Sequence, residues 1–196
     1  MSELKNHKQR EEFWGEQGHH RIGCQGRTPL GVVDSLIEFA EGKSVLEIGP
    51  GSGRQFERVF PVSSEYHIAD ISDVVLQLPI YESAKKTKLL NYDQELGEDF
   101  DVIHFWYVVH HVLTEEIGDF LSFIHRHLRP SGRAYFNYPL IQHFPESSLT
   151  RGGGDGMKTT DTDESMYESL IQENFDVVES YELLPYSFVA LQRKSD

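Results

Sequence analysis

The chain has 196 residues, enough for one domain of ordinary size with a core of its own. Hydrophobic residues make up 38% and aromatics 12%, which excludes a disordered chain, and no apolar run approaches the roughly 20 residues that span a bilayer. A formal net charge of -14, with Lys85, Lys86 and Lys88 as the longest basic cluster, argues against nucleic acid and points to a small or neutral partner.

Residues 2–17 are charged, carry Phe13 and Trp14 near their end, and read as a short helix; residues 18–27 read as a loop. The polar start and the single cysteine, Cys24, fit a reducing cytoplasm. Thr28 and Pro29 form a helix start, a hydroxyl cap followed by proline at the first helical position. Leu30, Val33, Leu36, Ile37 and Ala40 follow at helical spacing, and Glu41-Gly42 closes that helix.

The period then changes. Ser44–Ile48 is a short apolar strand running into a glycine loop, and a helix is expected from near Ser52. Further strands are expected at 66–70, 87–90, 101–106 and 133–138. Thr114 is expected to cap a helix whose inner face is Ile117, Phe120, Leu121, Ile124 and Leu128. A polar stretch over 142–160 carries four glycines of the 152–156 run and offers a flexible loop or lid. A last helix over 163–174 precedes a hairpin of strands 176–184 and 187–193. The expected fold is α/β: a three-layer sandwich with a mainly parallel seven-stranded sheet ending in an antiparallel hairpin. Ligands in such sheets bind beyond the carboxyl ends of the strands, where strand order switches.

The strongest chemical signal is Glu47-Ile48-Gly49-Pro50-Gly51-Ser52-Gly53. It leaves a strand and precedes a helix, and its glycines let backbone approach a ligand closely. A dinucleotide fingerprint would place the third glycine at position 54, which is Arg54; here it falls at 53, which disfavours a nicotinamide oxidoreductase. Asp70 closes the second strand, 19 residues after Gly51, where an acceptor can take hydrogen bonds from ribose hydroxyls. Asn91-Tyr92-Asp93 follows the third strand, and Val109-His110-His111-Val112 follows the fourth. Leu128-Arg129-Pro130-Ser131-Gly132-Arg133 precedes the fifth.

In this order these segments resemble the motifs of class I S-adenosylmethionine-dependent methyltransferases, over about residues 28–140 and more loosely through the hairpin. Ser131 stands where the family's turn before strand five has its first glycine. The resemblance implies S-adenosyl-L-methionine as cofactor, bound by Glu47, Gly49, Gly51, Asp70 and Asp93, with Ile71 packed beside adenine or ribose. It divides the chain into an N-terminal helix or lid segment, 1–27, and a methyltransferase domain, 28–196.

The sulfonium donor is already activated, so the protein's task is to align an acceptor and exclude water. Trp106 is placed to face the cationic donor. Trp14, Tyr107, His111 and Tyr138 are candidates for the acceptor pocket, and His110, with His143 behind it, for a general base. Each has a plainer reading: the histidines and aromatics as packing, Asp93 as a turn residue, Asp70 as a helix cap. His19-His20 and the His125/His127 pair lack the ligand count of a metal site, so none is expected. An Asn/Asp-Pro-Pro-Tyr/Phe tetrad, typical of enzymes that methylate DNA bases, is absent; Phe105-Trp106-Tyr107-Val108 stands in its place. The expectation is methyl transfer to oxygen or nitrogen of a small-molecule acceptor by a monomer or homodimer, with neither nucleic acid nor membrane as partner. The alternative is a non-catalytic cofactor-binding module or partner subunit.

Overall fold

A computed structural model describes residues 28–143 and 164–194. Seven strands form one sheet in the order β3-β2-β1-β4-β5-β7-β6. They are β1 Ser44–Ile48, β2 Glu65–Asp70, β3 Lys85–Lys88, β4 Phe100–Phe105, β5 Leu128–Pro139, β6 Phe175–Leu183 and β7 Tyr186–Arg193. Strands β1 to β5 pair in parallel, and β7 runs antiparallel to both β5 and β6. The expected mixed sheet with its terminal hairpin is what the chain forms. Between β2 and β4 the strand order reverses about β1, which opens the crevice this architecture uses for ligands.

Helices cover both faces. On one lie α1 Leu30–Ala40 and the single turns α2 Phe56–Val59 and α3 Asp73–Leu76; on the other, α4 Ile117–His127 and α5 Glu164–Asn174. Strand alternation assigns the side chains. Leu46, Ile48, Ile103, Phe105, Phe136 and Tyr138 join the α4/α5 core, and Val45, Ile68, Val102, Trp106 and Tyr135 join the α1 core. At the amino ends of the strands Asp101 Oδ2 accepts from the Ser44 amide at 3.0 Å and Arg129 at 2.9 Å, tying β1, β4 and the start of β5 together. Ser131 takes φ 64 within the first residues of β5.

Several local expectations are corrected. Pro29 occupies the cap position of α1 rather than its first turn, and no side chain caps the helix. The buried stripe of α1 is Val32, Val33, Leu36 and Ala40, while Leu30 is 70% exposed. The helix after the glycine loop begins at Phe56, not Ser52, because Gly53 at φ 90 cannot continue a right-handed helix. Thr114 opens a 3-10 turn, Thr114–Glu116, and α4 starts beyond it. Strand β3 ends at Lys88, two residues early, and β5 begins at Leu128, with a register shift opposite Phe100 and Val102. The N-terminal helix with Phe13 and Trp14, the thiol of Cys24, His19-His20 and the glycine run at 152–156 lie outside the described residues.

Candidate active site

Three segments meet at the carboxyl ends of β1, β2 and β4. The loop after β1 turns through left-handed backbone at Gly49, φ 64, Gly51, φ 57, and Gly53, φ 90. The Gly49 amide donates to the Ala69 carbonyl at 2.8 Å, extending the β1–β2 ladder into the loop. A Cβ on Gly49 would stand 2.7 Å from Val108 Cγ2, and one on Gly53 would stand 2.6 Å from Ile80 Cδ1. The loop is therefore pressed from one side by the turn after β4 and from below by the turn Pro79–Tyr81. Tyr81 secures it, its hydroxyl donating to the carbonyls of Pro50 at 3.0 Å and Gly51 at 2.9 Å.

Two carboxyls lie on the α1 side of the sheet at this crevice. Glu47, fourth residue of β1, is buried, and the Tyr66 hydroxyl donates to its Oε2 at 2.8 Å. Burial, reinforced by the Asp70 charge, pushes Glu47 up to about 8 despite that hydrogen bond. Asp70 accepts from the Ser72 amide at 2.7 Å, and burial raises it to about 7 against its hydrogen bonds from the backbone at 72 and 71. Among the described residues neither carboxyl has a cationic partner, so two groups that resist ionisation face a crevice walled by glycine backbone. A cationic, hydroxyl-bearing ligand satisfies both; the residues present fit a sulfonium nucleoside.

The turn after β4 forms the opposite wall. Tyr107 takes φ 59, a conformation that costs a non-glycine residue roughly 1–2 kcal/mol. Its amide donates to Asn137 Oδ1 at 2.7 Å, its ring meets Tyr186 edge-on at 5.0 Å, and its hydroxyl bonds the Thr28 side chain. Burial lifts that hydroxyl to about 12, so it remains protonated at neutral pH. His111 is half-buried in the same turn, and burial depresses it to about 4, which keeps the ring neutral.

The expected site residues separate on this frame. Glu47, Gly49, Gly51 and Asp70 converge on the crevice; Ile71 lies beside it, packed against the α4/α5 core. Asp93 is exposed, in a turn where its amide donates to Asn91 Oδ1 at 3.0 Å. Trp106 is buried in the α1 core, its ring 6.0 Å from Phe188. Tyr138 sits on the opposite face of the sheet, stacked on Tyr167 at 4.9 Å. The parity of strand β5 puts it there, so Tyr138 packs the core behind the sheet. His143 is exposed at the end of a turn after β5, and His110 belongs to the 3-10 turn Val109–His111, though its side chain, like all of Trp14, lies outside the described residues. His127 is structural: its Nδ1 bonds the Phe123 carbonyl and its Nε2 accepts the Leu96 amide. Among the described residues no three metal-binding side chains cluster.

Sequence reasoning missed Tyr66, Tyr81, His104 and Asn137. A signal existed for two of them: His104 and Asn137 interrupt otherwise apolar runs in buried parallel strands, where a polar residue needs a partner. Tyr81 carries no such mark.

The comparisons agree with this geometry. A family model described as "Methyltransferase domain" matches residues 24–182. No curated protein sequence matches the chain. Magnesium protoporphyrin IX methyltransferase of Synechocystis PCC 6803, with bound S-adenosylhomocysteine, superposes with a TM-score of 0.74 at 16% identity, over 96% of this chain and 100% of that one. The N-methyltransferase NodS of Bradyrhizobium japonicum gives 0.67 at 12% identity, over 97% and 100%. The Haloferax volcanii complex with the Trm112 methyltransferase activator gives 0.73 at 13% identity, over 94% and 99%.

Proposed function

This chain belongs to the class I S-adenosylmethionine-dependent methyltransferase family, and on that footing we propose that it methylates oxygen or nitrogen of a small-molecule acceptor. The observation that carries this reading is the crevice itself: a left-handed glycine loop between two buried carboxyls, closed by the turn after β4. S-adenosylmethionine, when bound, supplies a methyl group on an already activated sulfonium.

The chain's own residues hold and shield. Gly49 and Gly51 allow close backbone approach, Glu47 faces the cationic end, Asp70 accepts from ribose hydroxyls, and Ile71 packs beside the nucleoside. Trp106 and Tyr138 support the walls from within the core, and Asp93 is left as a surface turn. Tyr107 and His111 line the acceptor side. His110 serves as general base where the acceptor must lose a proton; His143, exposed farther along the chain, is second to it. Residues 28–196 form the methyltransferase domain, and 1–27, with Trp14, cover the acceptor.

A net charge of -14 and the sequence Phe105-Trp106-Tyr107-Val108 in place of a base-methylating tetrad favour a small acceptor over nucleic acid. One structural neighbour, the magnesium protoporphyrin IX methyltransferase, points the same way. No helix among the described residues is long and apolar enough to cross a membrane. A monomer or homodimer acting in the cytoplasm completes the proposal. The test is production of S-adenosylhomocysteine with panels of small phenols, carboxylic acids and amines, run beside peptide and RNA acceptors. Turnover confined to the macromolecules overturns the acceptor class.

A further inference from the structure

Beneath the crevice Glu47 is joined to two buried polar side chains, Tyr66 and His104, to which the proposed cofactor contacts give no role. Glu47 on β1 lies between Ile68 of β2 and His104 of β4 in the sheet register, with Tyr66 two residues before Ile68 on the same face. The Tyr66 hydroxyl stands 2.8 Å from Glu47 Oε2 and 2.7 Å from His104 Nε2. All three side chains are buried, in strands that are otherwise mostly apolar. Burying three polar groups where apolar ones would pack costs stability, so their presence calls for a reason.

The chain can be hydrogen-bonded in two directions. With Glu47 ionised, His104 Nε2–H donates to Tyr66, and the Tyr66 hydroxyl donates to Glu47. With Glu47 protonated, its carboxyl donates to Tyr66, Tyr66 donates to His104 Nε2, and the imidazole proton moves to Nδ1. His104 is neutral in both, because burial pushes it down to about 3. The two states differ by one proton, which passes between the chain and solvent. Among the described residues His104 Nδ1 has no hydrogen-bond partner, so none of them locks the imidazole in one tautomer.

Among the described residues the other groups that face Glu47 do not supply a cation. Asp70, from the end of β2, carries like charge and opposes ionisation. Tyr81, below the loop, is held protonated by burial and by the fields of Glu47, Asp70 and Glu57 of α2. Resting on the cofactor site proposed above, we propose that Tyr66 and His104 are positioning residues that hold Glu47 ready to ionise, so that Glu47 releases one proton to solvent when the cationic methionine end of the cofactor binds. A positive group at the loop offsets the burial penalty that otherwise keeps this carboxyl protonated.

Calorimetric titration of the intact chain, in buffers of differing ionisation enthalpy, counts protons released on binding. S-adenosylhomocysteine carries the amino-acid end; 5′-methylthioadenosine lacks it and reports what Asp70 contributes alone. At pH 7 the first ligand is expected to release more protons than the second, and its affinity to rise with pH by up to about tenfold per unit until Glu47 is ionised. Tyr66→Phe removes the donor that favours the anion. Its affinity at pH 7 is expected to fall about tenfold and to recover as the pH is raised, the plateau displaced upward by about one unit. His104→Phe is expected to displace it in the same direction by less. Equal proton release by the two ligands overturns the proposal, as does a Tyr66→Phe affinity loss that is the same at every pH. The wild-type proton count needs no variant to fold. Failure of the wild type to bind either ligand is a different result, and it removes the cofactor site itself.

Discussion

Glu47→Gln is expected to make the ligand-free protein more stable while weakening its hold on the cofactor. Burial holds the carboxyl up to about 8, against 4.5 for a solvated glutamate. Below about pH 4.5 folded and unfolded chains both keep the proton, and the group is neutral toward stability. Between 4.5 and 8 the unfolded chain ionises and the folded chain resists, so stability falls as pH rises. At about 1.4 kcal/mol per pH unit the penalty reaches at most about 5 kcal/mol by pH 9. Glutamine keeps the shape, still accepts from Tyr66, and carries no charge at any pH. Thermal melts of wild type and variant should nearly coincide at pH 5 and diverge upward, the variant melting about 10 °C higher at pH 9 by the 2–4 °C per kcal/mol usual for a domain of this size. Calorimetry at pH 8 should show S-adenosylhomocysteine bound about tenfold more weakly by the variant, through loss of a charge-assisted contact. Melting curves separated by a constant offset would mean that Glu47 is not held protonated. Undiminished affinity would remove it from the cofactor site.

Asp70→Asn should weaken S-adenosylhomocysteine binding by about ten- to a hundredfold, as loss of a charge-assisted acceptor does, and should not lower the melting temperature at pH 8, since burial raises this carboxyl as well; a destabilised variant with normal affinity would recast Asp70 as a turn residue only. Gly49→Ala forces a Cβ to 2.7 Å from Val108 Cγ2 at φ 64, and is expected to cost roughly 1–3 kcal/mol in denaturant unfolding together with cofactor affinity, where an unaffected variant would refute the close approach of the two loops. His110→Ala should lower kcat for acceptors that must lose a proton, by about 100-fold or more, with cofactor affinity unchanged; equal turnover removes the residue from the mechanism.

What was legible in the sequence is what glycine and strand ends encode. The three glycines of the first loop are needed at positive φ, so their pattern marks the loop directly. Asp70 was legible as the residue that closes the second strand, and β2 does end there. The helix expected behind the loop was not legible, because the glycine spacing that permits the turn also postpones the helix to Phe56. Side-chain direction was harder still. Trp106 and Tyr138 both sit at strand ends, and only the alternation along β4 and β5, joined to their register, sends each into the core on opposite faces. Partners drawn from different strands, such as Tyr66 with Glu47 and His104, require register that no local pattern supplies.

The turn after β4 shows how the fold holds a strained residue at the wall proposed for the acceptor. Tyr107 stays at φ 59 because three restraints converge on it: Asn137 Oδ1 takes its amide at 2.7 Å, Tyr186 meets its ring, and Thr28 bonds its hydroxyl. The backbone amide fixes the Asn137 side chain with its oxygen toward Tyr107, since only the oxygen accepts. Asn137→Ala leaves that partly buried amide unpaired and should cost about 1–3 kcal/mol in chemical unfolding. The freed turn can then relax toward ordinary backbone and carry the Tyr107 ring away from the crevice, while the glycine loop and Asp70 stay fixed by β1, β2 and Tyr81. Acceptor KM should therefore rise with little change in S-adenosylhomocysteine affinity. The reverse pattern, weaker cofactor binding at unchanged acceptor KM, would show that this turn supports the cofactor loop through Val108 and does not shape the acceptor side.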